Sequence, residues 1–326
     1  MHHTLSTFPL HPEAITYRSP QEIATLAQDV PGLTCTPIGQ SREGRPLYGF
    51  EFGVGEKHVS ITAGCHADEP IGPMTAQILY FHLRDHFPEL LQAFSFRVIP
   101  DMNPDGAERN RPWFAQTLAL DQYLNHTIRE LPGDDIEFGF GTDDDERPEC
   151  QAMQGFLHDH GPYAAHFSLH GLAIAEGAWC LICKEWKVKA QGYRDAFAQC
   201  CADLNFPQHD IDRKGDKGFI RIAKGYTTTP HSAPMKQFFL DQNDPETAAK
   251  FKPTSMQYIQ SLGGDPCCIV SELPLFHIGL PSPDLDHLST NAFKEELDTL
   301  RAQHPSLTHE ILAPLCEKYK VTPTPL

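Results

Sequence analysis

A chain of 326 residues, 40% of them hydrophobic, is long enough to bury a substantial core as one large α/β domain or two small ones. Its formal net charge of −17 argues against nucleic acid or an anionic membrane surface as a general partner, because both reward basic patches. No apolar run approaches the ~20 residues that span a bilayer. The start, Met1-His2-His3-Thr4-Leu5-Ser6, lacks the basic-then-apolar order of a secretory signal, so a cytoplasmic location is expected.

In chain order, residues 1–33 read as a mixed N-terminal lead-in with a short helix over Pro20–Gln28, and 34–326 as a single domain. After Ile38-Gly39-Gln40-Ser41-Arg42-Glu43-Gly44-Arg45-Pro46-Leu47-Tyr48, strands are expected over Leu47–Gly53 and Lys57–Ala63, around a turn at Gly53-Val54-Gly55-Glu56. Val59–Ala63 is β-branched and apolar, as a buried strand requires, and Pro70 suits the first turn of a helix reaching His86. His66 and Glu69 therefore lie on a strand-to-helix loop, and a His and a Glu three apart can close on one cation at roughly 2.0–2.2 Å. That spacing alone is common in surface loops.

Phe94–Pro100 supplies the next strand, and strand–helix–strand order implies a parallel crossover unit. Asn103-Pro104-Asp105-Gly106 then opens a polar, Pro- and Gly-containing stretch to Pro148, long enough to suggest a functional loop. A helix over Glu149–His160 and a strand over Ala164–Leu169 follow, the strand ending in Ser168-Leu169-His170-Gly171. Beyond a strand at Ala178–Cys183 and a helix over Lys187–Leu204, residues 210–254 read as irregular. Pro266–Leu273 is the last convincing strand and carries Ser271-Glu272-Leu273-Pro274; helices over Ser289–Gln303 and Ser306–Lys320 close the chain. The ten cysteines sit largely in apolar runs. Cys200-Cys201 and Cys267-Cys268 are adjacent pairs that rarely bridge without strain, and Cys180-Leu181-Ile182-Cys183 lies in a strand with no second pair to answer it, so reduced, buried thiols are expected.

Taken together, the Glu-Gly-Arg-Pro, His-x-x-Glu, Asn-Pro-Asp-Gly, Ser-Leu-His-Gly and Ser-Glu-Leu-Pro stretches resemble, in kind and order, the zinc carboxypeptidase family, the carboxypeptidase A-like metallopeptidases. The resemblance spans about Thr34 to Pro274. It implies a mixed, mostly parallel central sheet flanked by helices on both faces, and one Zn²⁺ per chain. His170, after a strand like the other two, is then the third ligand beside His66 and Glu69, because open α/β sheets gather ligands at the carboxyl ends of their strands. Two His and one Glu leave a fourth position open, as in catalytic zinc sites. Glu272 takes the place of the general base and acid, and a carboxylate on an apolar strand is costly unless paired or working.

The resemblance also implies an oxyanion-polarising arginine, for which Arg109 and Arg111 are the candidates. Arg45 of the Gly-Arg-Pro stretch is expected near the substrate. The family's Asn-Arg pair, which grips a terminal carboxylate, has its nearest match at Tyr123-Leu124-Asn125-His126, where histidine stands in for arginine and Arg129 is the nearest substitute. Met256, after Ser255, corresponds to the floor of a specificity pocket. The window for the family's mobile tyrosine holds Phe251, with Tyr226 and Tyr258 outside it. The expected activity is removal of a C-terminal residue from a peptide by a zinc-activated water. An N-acyl amino-acid deacylase of the aspartoacylase and succinylglutamate desuccinylase branch, acting on a small amide, is the second reading, and a non-catalytic zinc- or peptide-binding module the third.

Overall fold

The computed structural model describes residues 17–114, 118–141, 146–279 and 288–324. Its elements in chain order are α1 (Pro20–Ala27), β1 (Leu33–Gln40), β2 (Pro46–Phe52), β3 (Lys57–Ala63), α2 (Ile71–His86), α3 (Pro88–Ala93), β4 (Phe94–Ile99), α4 (Pro104–Phe114), α5 (Leu120–His126) and α6 (Pro148–Leu157). They continue with β5 (Ala165–Ala175), β6 (Trp179–Ile182), α7 (Gln191–Asp203), β7 (Arg221–Ala223), β8 (Tyr226–Thr228), α8 (Ser232–Asp241), α9 (Pro245–Lys250) and α10 (Ser255–Ser261). Last come β9 (Cys267–Ile278), α11 (Leu288–Gln303), α12 (His309–Tyr319) and β10 (Val321–Pro323).

Among the described residues the strands form one mixed sheet in the order β1-β2-β4-β3-β5-β9-β6-β8-β7, with β10 added to the far end of β9. Its centre, β4-β3-β5-β9, is parallel, and the antiparallel pairs lie toward the edges. The mixed α/β class and the flanking helices expected from the sequence are what the fold has. Residues 1–16 of the expected lead-in lie outside those described. The remainder does not stand apart: Ile23 and Ala27 of α1 share a buried cluster with Phe50, Val59 and Tyr80. Ser19 caps α1 in a reciprocal capping box with Glu22, with Pro20 in the first turn.

Several strand assignments differ from the sequence reading. β1 was not foreseen because Pro37 and Gly39 interrupt it, and the ladder absorbs them with a register shift between those residues. β5 and β9 run on past His170 and Glu272, to Ala175 and Ile278, in unbroken parallel register. β10 follows α12 as a further short strand, so β9 is not the last. The stretches read as irregular also contain α4 and α5, and β7, β8, α8 and α9.

α2 lies directly on β5. A Cβ on Gly72 would fall 2.2 Å from the Leu169 carbonyl oxygen, one residue before His170. Gly72→Ala is therefore expected to destabilise the fold by about 1–3 kcal/mol, the usual cost of overpacking, and to loosen the loop that carries His66 and Glu69. Denaturant melts of the two proteins measure it.

Candidate metal centre

β3 ends at Ala63, and Gly64 turns the chain with φ +74°, a conformation open to glycine. A side chain there would also meet Asp101 Oδ1 at 2.8 Å. The turn delivers His66 and Glu69 toward β5. His66 Nδ1 lies 2.8 Å from Glu69 Oε1, His170 Nδ1 2.9 Å from Glu69 Oε2, and the two imidazole Nδ1 atoms 3.0 Å apart. The Gly171 amide donates to Glu69 Oε2 at 3.1 Å, and Arg129 Nη1 donates to Glu69 Oε1 at 2.8 Å and Asp68 Oδ1 at 2.9 Å. Burial would push the Glu69 carboxyl up, but His66, Arg129 and His170 outweigh it and hold it well below the carboxylate range. Two imidazole nitrogens and a carboxylate converging within one ion's reach form a donor set that suits Zn²⁺.

Behind His170, its Nε2 meets Ser168 Oγ at 2.9 Å and Glu137 Oε2 at 3.4 Å, and Ser255 donates to Glu137 Oε1 at 2.9 Å. Burial opposes ionisation of Glu137, yet the His170 hydrogen bond and charge keep its carboxyl below the usual range. A carboxylate on the far nitrogen fixes the ring's orientation and tautomer. Cys65, Glu137 and His170 make a second compact donor cluster. Burial and the nearby Glu137 push the Cys65 thiol up to about 12, which favours the neutral thiol over a thiolate ligand.

Glu272 stands opposite His170 in the β5–β9 register and opposite Trp179 in the β6–β9 register. Its Oε2 is buried with no hydrogen-bond partner among the described residues. Burial, reinforced by Glu69, raises its carboxyl well above the usual range despite His170 and Arg129. His66, Glu69, His170, Arg129 and Glu272 line one cavity of about 400 Å³, within the range of small-molecule sites.

The other sequence candidates divide sharply. Met256 lines this cavity and is 3% exposed. Arg45 does not line it. The Glu43-Gly44-Arg45 turn docks instead on Asp105, whose Oδ1 accepts from Ser41 Oγ at 2.6 Å and Arg45 Nη1 at 2.8 Å, and whose Oδ2 accepts from the Glu43 amide at 3.0 Å. Arg109 pairs with Glu43, and Arg111 with Glu22 at 3.6 Å and Glu108 at 3.5 Å; both lie outside the cavity. Asn125 clamps the connection between α11 and α12, its Nδ2 donating to the Leu307 carbonyl at 2.8 Å and its Oδ1 accepting from the Leu307 amide at 3.0 Å. α5 therefore uses its asparagine to hold the chain together, not to reach into the cavity.

Sequence reasoning missed Glu137, Trp179, Arg213 and Lys217, all of which line the cavity. For Glu137 a signal existed: a carboxylate set among Ile136, Phe138 and Phe140, each buried. It also missed Tyr123, the one tyrosine among the described cavity residues, whose hydroxyl donates to Asp68 Oδ2 at 3.4 Å. Tyr258 and Tyr226 point elsewhere, donating to the Gln154 and Arg194 carbonyls.

The family model described as zinc carboxypeptidase matches residues 20–174, so the family resemblance carried by the motifs is borne out there. Among solved structures, similarity extends to a metallo-carboxypeptidase from Burkholderia cenocepacia, 18% identical with a TM-score of 0.50 over 79% of this chain and 60% of that one. A metallo-carboxypeptidase from Pseudomonas aeruginosa, in complex with (2-guanidinoethylmercapto)succinic acid, is 15% identical, with a TM-score of 0.52 over 79% of this chain and 60% of that one. Carboxypeptidase A from Helicoverpa armigera is 14% identical, with a TM-score of 0.51 over 87% of this chain and 71% of that one. At these identities the likeness is one of fold, and this chain spans about 60% of the length of the two bacterial enzymes. Among the described residues no helix is long and apolar enough to cross a membrane.

If His66, Glu69 and His170 are the ligands, Glu137→Gln is expected to weaken zinc binding roughly 10–100-fold, as loss of a supporting carboxylate does elsewhere. Competition with a zinc-responsive chelator reads this directly.

Proposed function

We propose that this chain, a zinc carboxypeptidase relative by its motifs and its match over residues 20–174, is a zinc metallocarboxypeptidase that removes the C-terminal residue of a peptide. The observation that carries this is the Glu272 carboxyl, whose Oε2 is buried without a hydrogen-bond partner among the described residues, in the same cavity as the His66–Glu69–His170 cluster and on the strand beside His170. His66, Glu69 and His170 would hold one Zn²⁺, which when bound supplies a Lewis acid and lowers the pKa of a water in its open position.

The chain's own groups do the rest. Glu272 accepts the proton of the attacking water and returns it to the departing amine nitrogen; its burial makes the carboxylate a stronger base than one in solvent. Arg129 keeps Glu69 ionised and oriented, and its remaining guanidinium donors are candidates for polarising the scissile carbonyl. Trp179 Nε1 is buried without a partner among the described residues and offers a further donor at the cavity wall. Met256 and Phe251 supply apolar surface for a side chain. The ten cysteines are all free, consistent with the proposed cytoplasmic setting.

The deacylase reading keeps its place on one observation: Asn125, Arg45, Arg109 and Arg111 all lie outside the cavity, so none of them grips a terminal carboxylate there.

The zinc-loaded protein is expected to release free amino acid from N-blocked dipeptides in preference to N-acetyl or N-succinyl amino acids, and to lose this with chelator. The reverse preference would assign it to the deacylases. Glu272→Gln should retain zinc and lose roughly 10²–10⁴-fold in kcat. Full turnover by that variant would remove Glu272 from the reaction, and no turnover by the wild type would favour a binding module.

A further inference from the structure

The cavity has one wall that the chemistry above does not use. Residues 213–219 form a tight loop closed by backbone hydrogen bonds from Asp216 to the Arg213 carbonyl at 2.8 Å and from Gly215 to the Phe219 carbonyl at 3.0 Å. Lys214 and Lys217 hold left-handed backbone, φ +50° and +52°, each followed by a glycine with positive φ, Gly215 at +85° and Gly218 at +86°. Non-glycine residues resist that conformation, and it persists where surrounding structure enforces it.

Both cations of this loop that line the cavity are seated on aromatic faces. The Arg213 guanidinium lies 4.3 Å from the Phe219 ring centroid, Phe219 tilts against Trp179 at 5.9 Å, and Trp179 is the cross-strand neighbour of Glu272. Lys217 Nζ lies 4.1 Å from the Phe238 ring; the adjacent Phe239 stacks on Phe251 at 5.3 Å, and Phe251 meets Phe138, the neighbour of Glu137, edge-on at 5.0 Å. The loop is thus tied by ring contacts to both the Glu272 and the Glu137 walls.

The charged residues lining the cavity fall into two groups. Asp68, Glu69, Glu137 and Glu272 gather around the candidate ligands, where Arg129 is already bonded to Asp68 and Glu69. At the loop, Arg213 shares its charge with Asp216 at 3.0 Å, and among the described residues no carboxylate is ion-paired with Lys217. In a chain of net charge −17, two cations held on rings against a reaction cavity are a specific provision for an anion.

We propose that Lys217 and Arg213 form the carboxylate-recognising wall of this cavity, so that its substrates carry a carboxylate on the side facing residues 213–219. This rests on the metallohydrolase reading above. The carboxylate belongs to the substrate's terminus or to an acidic side chain, and the same two residues serve either.

The test is a binding measurement that needs no turnover, so a failed assay for hydrolysis leaves it intact. Calorimetry with succinate and with acetate on the zinc-loaded protein compares the wild type with Lys217→Gly, a variant that the left-handed backbone accommodates, and with Lys217→Arg. The expected result is a rise of tenfold or more in the succinate Kd for Lys217→Gly, less than twofold for acetate, and near-wild-type succinate binding for Lys217→Arg. No succinate binding by the wild type, or an unchanged succinate Kd in Lys217→Gly, overturns the proposal. On peptides, a rise in KM for every free C terminus assigns the recognised group to the terminus, and a rise confined to peptides ending in Asp or Glu assigns it to the side chain. A KM unmoved in both series also overturns it.

Discussion

The site depends on keeping the Glu69 carboxylate charged while taking it out of water. A buried, unpaired carboxylate would neutralise itself by taking up a proton. Here Arg129, the Gly171 amide and the two imidazoles surround both oxygens, and the carboxyl stays ionised in spite of its burial. The donors come from three separate places: the loop after β3, the strand β5, and the stretch after α5. Each must be held to a few tenths of an ångström for the cluster to form.

Much of the fold can be read as the means of doing so. The parallel β3–β5–β9 core sets the heights of Ala63, His170 and Glu272 along neighbouring strands. Gly64 and Gly72 let the connecting loop and α2 come close enough to the sheet for His66 to reach His170. The Gly-Arg-Pro and Asn-Pro-Asp-Gly stretches, far apart in the chain, prove to be two halves of one contact centred on Asp105, and Asn103 in turn donates to Glu130 at 2.6 Å. Their spatial pairing gives these motifs a structural use at the edge of the site.

The metal candidates were legible because their signal is local: a buried strand, a glycine turn and a helix start fix where His66 and Glu69 stand. Glu272 was legible because a carboxylate in an apolar strand demands a reason. The ends of β5 and β9 were not, since Gly171 and Pro274 look like strand stops and instead sit inside a continuous ladder in which Pro274 stands opposite Leu172. The positions of three arginines were not legible for a different reason. Arg45, Arg109 and Arg111 lie near the right motifs, but their positions are set by tertiary pairing with Asp105, Glu43 and Glu22, which sequence spacing cannot report. Arg213 and Lys217 lie in a segment without periodicity, and only the folded chain brings them to the cavity.

The most direct test of the account is where a metal binds. Crystals of the zinc-loaded protein, with anomalous scattering recorded across the zinc edge, should show one peak bounded by His66 Nδ1, the Glu69 carboxylate and His170 Nδ1, at about 2.0–2.2 Å from each. A peak instead among Cys65, Glu137 and the far nitrogen of His170, or no peak in this cavity, would contradict it.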